Sequence, residues 1–152
     1  MKKTLLKTAA IIALGFGLNA CTKPSTTATT TSTTPSFTAS MNGTSTTFTG
    51  SATLGTNYMT IIGTGTNYTI KIYDQLPIKV GTAVALGAPG GTYAAVTTGS
   101  GQSWSTSSSA TGTLTITTYD TSNKLITGTF SFNATGSSNL AVTSGSFANI
   151  TY

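Results

Sequence analysis

Histidine, glutamate and arginine are absent from this 152-residue chain, its carboxylates are two aspartates, and cysteine and tryptophan occur once each. General acid and base catalysis needs groups that titrate near neutrality. Here Asp74, Asp120 and the lysines are the whole supply. Zinc asks for His or Cys thiolate and calcium for several carboxylates, so neither a metal nor a cofactor is expected. A glycosidase would have to use Asp74 and Asp120 as its pair, and a serine–lysine dyad would need Lys71, Lys79 or Lys124 deprotonated. Asp74 at a strand end and Asp120 in a hairpin turn are positions where Asp satisfies turn amides. The expectation is a protein that is not an enzyme.

The formal charge of +5 does not signal nucleic acid either. Three of the seven lysines, Lys2, Lys3 and Lys7, lie in the N-terminal leader. The remaining Lys23, Lys71, Lys79 and Lys124 against Asp74 and Asp120 leave four minus two, or +2. Without arginine or a basic patch there is nothing to track phosphates.

The leader itself has a basic start, an apolar stretch from Ala9 to Leu18 and a small residue, Ala20, before cysteine. This is the pattern of a secretory signal peptide over residues 1–20. Its apolar stretch is only about ten residues, half of what a membrane-crossing helix needs. Leu18-Asn19-Ala20-Cys21 resembles a lipobox, the motif of bacterial lipoproteins, with Asn19 where alanine or serine is usual. The resemblance implies lipid attachment at Cys21 and cleavage before it. Two or three acyl chains on one cysteine would hold the protein to a membrane almost permanently. Thr22 and Lys23 follow the cysteine, with no Asp, which by resemblance to lipoprotein sorting rules directs the chain to the outer membrane of the cell envelope; periplasmic and surface faces both stay open.

Thr22 to Ser36 is almost wholly Thr, Ser, Ala and Pro. With Cys21 it reads as a disordered tether, residues 21–36, reaching about 20 Å as a coil and about 50 Å at full stretch. A glycosylated stalk is the alternative for this composition.

From residue 37 to 152 threonine alternates with apolar residues, and Gly, Asn and Asp punctuate at short intervals. β-branched residues suit a pleated surface and lose rotamer freedom in a helix. Leu114 and Ile116 share one face of a strand from Thr111 to Tyr119. Ile126, Gly128, Phe130 and Phe132 share one face of a strand from Leu125 to Ala134, so the two predict an antiparallel hairpin with one dry face. Tyr58 to Gly63 and Asn67 to Asp74 predict a second hairpin, and Asn42-Gly43 a tight turn between Phe37–Met41 and Thr44–Thr49. Further strands are expected near Thr82–Leu86, Gly91–Thr97, Gln102–Thr106, Leu140–Thr143 and Gly145–Tyr152. Pro77 and Pro89 belong in connections or on edges. The expected fold class is one all-β domain, an antiparallel β-sandwich with a closed antiparallel β-barrel as the alternative, behind a signal helix and the tether.

Phe37-Thr38-Ala39, Asn42-Gly43, the Gly112 to Thr117 alternation, Gly128-Thr129-Phe130-Ser131-Phe132 and Thr143 to Phe147 together carry a family resemblance. They are similar to a domain of unknown function found in small Bacteroidota lipoproteins. The resemblance implies fold and location and brings no activity.

Gly63-Thr64-Gly65 and Gly87 to Gly91 lack the lysine and helix of a phosphate loop and read as turns. Tyr58, Tyr68, Tyr73, Tyr93, Trp104 and Tyr119 are candidates for a sugar-stacking platform, against core or cross-strand packing as the plainer reading. Trp104, set among small polar residues, is the candidate ligand contact, its alternative being a plug over one end of the core. The sequence therefore points to a non-enzymatic envelope lipoprotein, its partners the membrane through lipid and a neutral glycan or a protein. A carbohydrate-binding module, a barrel for a small apolar ligand and a subunit of a surface assembly are the alternatives.

Overall fold

A computed structural model describes residues 34–107 and 112–152. Cys21, the leader and nearly all of the tether lie outside the described residues. Ten strands follow in order: β1 Ser36–Met41, β2 Thr44–Leu54, β3 Tyr58–Thr64, β4 Tyr68–Gln75, β5 Ala83–Ala85, β6 Tyr93–Thr98, β7 Ser103–Ser105, β8 Gly112–Asp120, β9 Leu125–Thr135 and β10 Asn139–Thr151. The all-β class and both hairpins stand as read from the alternation.

The sandwich does not stand. Strands β10, β1, β2, β3, β4, β6, β7 and β9 pair in that order, and β9 pairs back to β10, so eight antiparallel strands close into a barrel. Closure abolishes the two free edges that a pair of open sheets would each keep. It depends on a long β1–β10 ladder running from Ser36↔Ala148 to Met41↔Val142, and on one pairing, Ser105↔Thr135, between β7 and β9. Below that pairing β9 takes β8 as its neighbour, and β8 carries β5 on its far side. The seam of the barrel thus forks beside β4 and β6.

Local chemistry explains the individual turns and bends. Asn42 and Gly43 both adopt positive φ, 46° and 86°, as a two-residue hairpin turn of the favoured hand requires. Leu140–Thr143 and Gly145–Tyr152, expected as two strands, form the single strand β10. It is interrupted by irregularities between Val142 and Gly145 and between Phe147 and Ile150, where Ser144 and Asn149 take positive φ. Such bulges bend a strand without ending it.

Inward residues alternate with outward ones on each long strand. Phe37 lies at the middle of the interior, its ring centroid 5.5 Å from Phe48, 5.4 Å from Phe130 and 6.0 Å from Phe147. Glycines on the inner wall make room for these rings. A Cβ on Gly63 would stand 2.5 to 2.8 Å from three carbons of Phe37, and one on Gly128 would stand 2.7 Å from Phe147 Cζ. Met59, Ile61, Ile70, Ile72 and Val96 extend the same buried cluster. The barrel axis is occupied by side chains, as in small barrels generally.

The outer wall is hydroxyl-rich: Ser45, Thr47, Thr49, Ser51 and Thr53 project from β2, and Thr129 and Asn133 from β9. A membrane-spanning barrel carries an apolar band outside and polar groups within. This barrel has the opposite polarity.

Candidate functional site

Period-two alternation along β4 buries Ile70, Ile72 and then Asp74. Asp74 therefore faces inward at the end of the barrel and is 2 % exposed. Its neighbour just beyond the end of the β4–β6 ladder is Thr92, whose hydroxyl donates to Asp74 Oδ1 at 3.3 Å and accepts from the Gln75 backbone N–H at 3.1 Å. Asp74 Oδ2 is buried with no hydrogen-bond partner. Burial pushes the carboxyl above the ordinary carboxylate range, while the Thr92 hydroxyl and the Lys79 ammonium pull the other way.

Asp74 and Thr92 line a pocket of about 320 Å³ in the fork of the seam. Gln75 and exposed Lys79 supply further polar groups, and Leu76 and Val84 supply apolar ones. Thr106, the buried hydroxyl nearby, fixes the connection that roofs the seam. It accepts from the Ala94 N–H at 3.0 Å and donates to the Gly87 carbonyl. The expectation that Asp74 caps a turn is overturned by its inward position. Asp120 does what was expected: its Oδ1 accepts from the N–H groups of Ser122 and Asn123, each at 2.9 Å, and its Oδ2 from Asn123 Nδ2 at 2.7 Å. These bonds hold its carboxyl below the usual range. The two aspartates thus serve different surroundings, one inside the barrel and one in the β8–β9 turn.

The six aromatic residues suggested as a platform do not form one. Trp104 sits on β7 facing the core, 6 % exposed, with its indole N–H 3.5 Å from Ser138 Oγ. A Cβ on Gly136 would stand 2.8 Å from its Cδ1, so the ring fills one end of the barrel. That placement offers a ligand no open ring face, and the ligand-contact role expected of Trp104 is corrected to core packing. Tyr68 packs partly against the core, and Tyr119 stacks on Tyr152 with centroids 5.2 Å apart.

Tyr58, Tyr73 and Tyr93 do come together, outside the barrel and half-buried. Register brings them there: Tyr73 is directly opposite Tyr93, and Tyr58, opposite Gln75, is diagonal to Tyr73. Tyr73 and Tyr93 stack at 4.4 Å and 10°, and Tyr58 meets each edge-on at 6.3 Å. Burial first, and then the neighbouring Tyr73 and Tyr58, raise the Tyr93 phenol above its ordinary value. The cluster and the pocket adjoin. Asp74 and Thr92 are the chain neighbours of Tyr73 and Tyr93 on the opposite side of the wall, and Gln75 belongs to both surroundings.

Residues 33–151 match the family model described as a domain of unknown function, DUF6252. The chain belongs to that family. No curated protein and no solved structure matches this DUF6252 chain. The family description carries no activity, and the pocket and the tyrosines are the chemical features that the DUF6252 barrel itself presents.

Proposed function

We propose that this chain is a lipid-anchored protein of the bacterial envelope, held at the outer membrane through Cys21, whose barrel is a non-catalytic module that binds a neutral, hydroxyl-rich ligand such as a glycan. The single observation that carries the binding reading is the outer cluster of Tyr58, Tyr73 and Tyr93. Aromatic rings with hydroxyl tips present apolar surface and a hydrogen-bonding edge together, which suits the two-sided chemistry of a pyranose. Charge contributes little on such a surface, so affinity should vary only slightly with salt. The packed phenylalanine interior favours this outer surface over an apolar ligand held inside the barrel. The anchor reading is supported by the lipobox resemblance and by the Thr- and Ser-rich stretch before β1.

A neutral glycan array tests the binding reading with the parent chain, Tyr73→Ala and Tyr93→Ala. The parent should retain at least one glycan that both variants lose while still melting cooperatively. Retention of the same glycans by both variants would remove the tyrosine cluster from the account. For the anchor, Cys21→Ser should abolish labelling by a fatty-acid analogue and leave uncleaved precursor; labelling like that of the parent would contradict it.

A further inference from the structure

Three features of the molecule lie apart from the Tyr58, Tyr73 and Tyr93 surface. The hollow of about 480 Å³ lined by Met41, Asn42 and Tyr68 is larger than the seam pocket, but its walls bring no buried polar group lacking a partner. The stacked Tyr119 and Tyr152, with Lys124 Nζ 5.5 Å from the Tyr152 centroid, is a closed set of mutual contacts. The seam pocket is different, because a carboxylate oxygen inside the fold is left without a donor.

We infer that the Asp74 pocket is a second subsite, one that receives a single terminal sugar-sized unit and takes hydrogen bonds from its hydroxyls on Asp74. The inference rests on the glycan reading for the class of ligand and on the pocket for everything else. An unpartnered buried oxygen costs free energy in the empty protein, and a ligand hydroxyl that donates to it recovers that cost on binding. The last torsion of an aspartate is soft, so a small rotation turns Oδ2 toward the pocket that the residue already lines. Lys79 at the rim is a donor for a second hydroxyl or for the ring oxygen, and Gln75 offers both a donor and an acceptor. Leu76 and Val84 face the C–H surface of the same ring.

The size agrees. About 320 Å³ lies at the lower end of small-molecule sites, which suits one ring and not an oligomer. A neutral ligand also suits the pocket better than an anion, which would meet a buried acid beside the one ammonium group. Because Gln75 is the register partner of Tyr58, a chain lying over the tyrosines can end in this pocket without crossing the barrel.

The test uses the full chain in detergent, titrated calorimetrically with glucose, galactose, mannose and N-acetylglucosamine, each alone, beside the Asp74→Asn, Lys79→Ala and Tyr73→Ala variants. At least one monosaccharide should bind saturably to the parent. Asp74→Asn should weaken it by roughly tenfold or more, as expected for loss of a hydrogen bond to a charged group. Tyr73→Ala should leave monosaccharide affinity within about threefold, since stacking is supplied outside the pocket. No saturable monosaccharide binding, or equal binding by the parent and Asp74→Asn, overturns the subsite. In that case oligosaccharides retained by the parent and lost by Tyr73→Ala would leave the tyrosine surface standing. Monosaccharide binding that depends on Asp74, with oligosaccharides indifferent to the tyrosines, would keep the pocket and remove that surface. Melting curves for Asp74→Asn and Lys79→Ala exclude unfolding as the cause of lost affinity.

Discussion

Replacing Trp104 by alanine removes the largest side chain from one end of the barrel. The ring is 6 % exposed and stands opposite Val96 in the β6–β7 register, with Gly136 closed against it. Burying Trp and then truncating it typically costs about 3 to 5 kcal/mol. The indole N–H adds little, because its 3.5 Å contact with Ser138 is long for a hydrogen bond. For a domain of about 120 residues the unfolding entropy near the midpoint is roughly 0.25 kcal/mol per degree, so the expected fall in Tm is about 12 to 20 °C. Trp104→Phe retains an aromatic ring and should lose less than half as much. Thermal circular dichroism at 218 nm or so, with urea unfolding as a second measure, reads both variants. A Trp104→Ala midpoint within about 3 °C of the parent would refute the burial argument and return Trp104 to the surface.

Gly63→Val should also be costly, because a branched side chain there runs into the Phe37 ring; loss of soluble folded protein or a midpoint lower by more than about 10 °C is expected, while Gly43→Asn, at a positive-φ turn with open space, should change the midpoint by only about 3 °C or less. The two aspartates should respond to pH with opposite signs. Asp74 has a raised folded value, so its ionisation opposes folding. Stability should fall as pH rises through that raised range, and Asp74→Asn should melt higher than the parent at pH 8 and equal to it below pH 3.5 or so. Asp120 has a lowered folded value, so its contribution is present above the ordinary carboxylate range and is lost as pH falls; Asp120→Ala should lower the midpoint at pH 7 and converge with the parent in acid. Melting curves across pH separate these outcomes, and parallel behaviour of the two variants would contradict the assignments.

Much of the barrel was legible because alternation and turn chemistry are local. The Asn42-Gly43 turn and the β3–β4 and β8–β9 hairpins needed only neighbouring residues to specify them. Closure was not legible, since Ser36↔Ala148 and Ser105↔Thr135 join distant segments and a sandwich strand would show the same inward and outward alternation. β10 read as two strands because Ser144-Gly145 looks like a turn, whereas a bulge absorbs the extra residue and the ladder resumes. The inward position of Asp74 was present in the spacing of Ile70, Ile72 and Asp74. Its place near a strand end made turn capping the more familiar reading. Trp104 divided the reading for a related reason: its polar neighbours Ser103 and Ser105 are the outward half of the alternation, and the ring between them packs inward as the plug that was its alternative. The tyrosine cluster could be named from the sequence only as a list, because the register across β3, β4 and β6 selects Tyr58, Tyr73 and Tyr93 from it.

If ligand meets the barrel at the outer tyrosine face while Trp104 stays in the core, the single tryptophan makes a direct test. In an amide NMR spectrum recorded while the full chain in detergent is titrated with a mixture of neutral oligosaccharides, the amides of Tyr58, Tyr73 and Tyr93 should shift progressively to saturation. The lone Trp104 indole N–H should stay in place. An indole resonance that moves with the ligand while the three tyrosines are silent, or a spectrum that does not respond at all, would contradict the account.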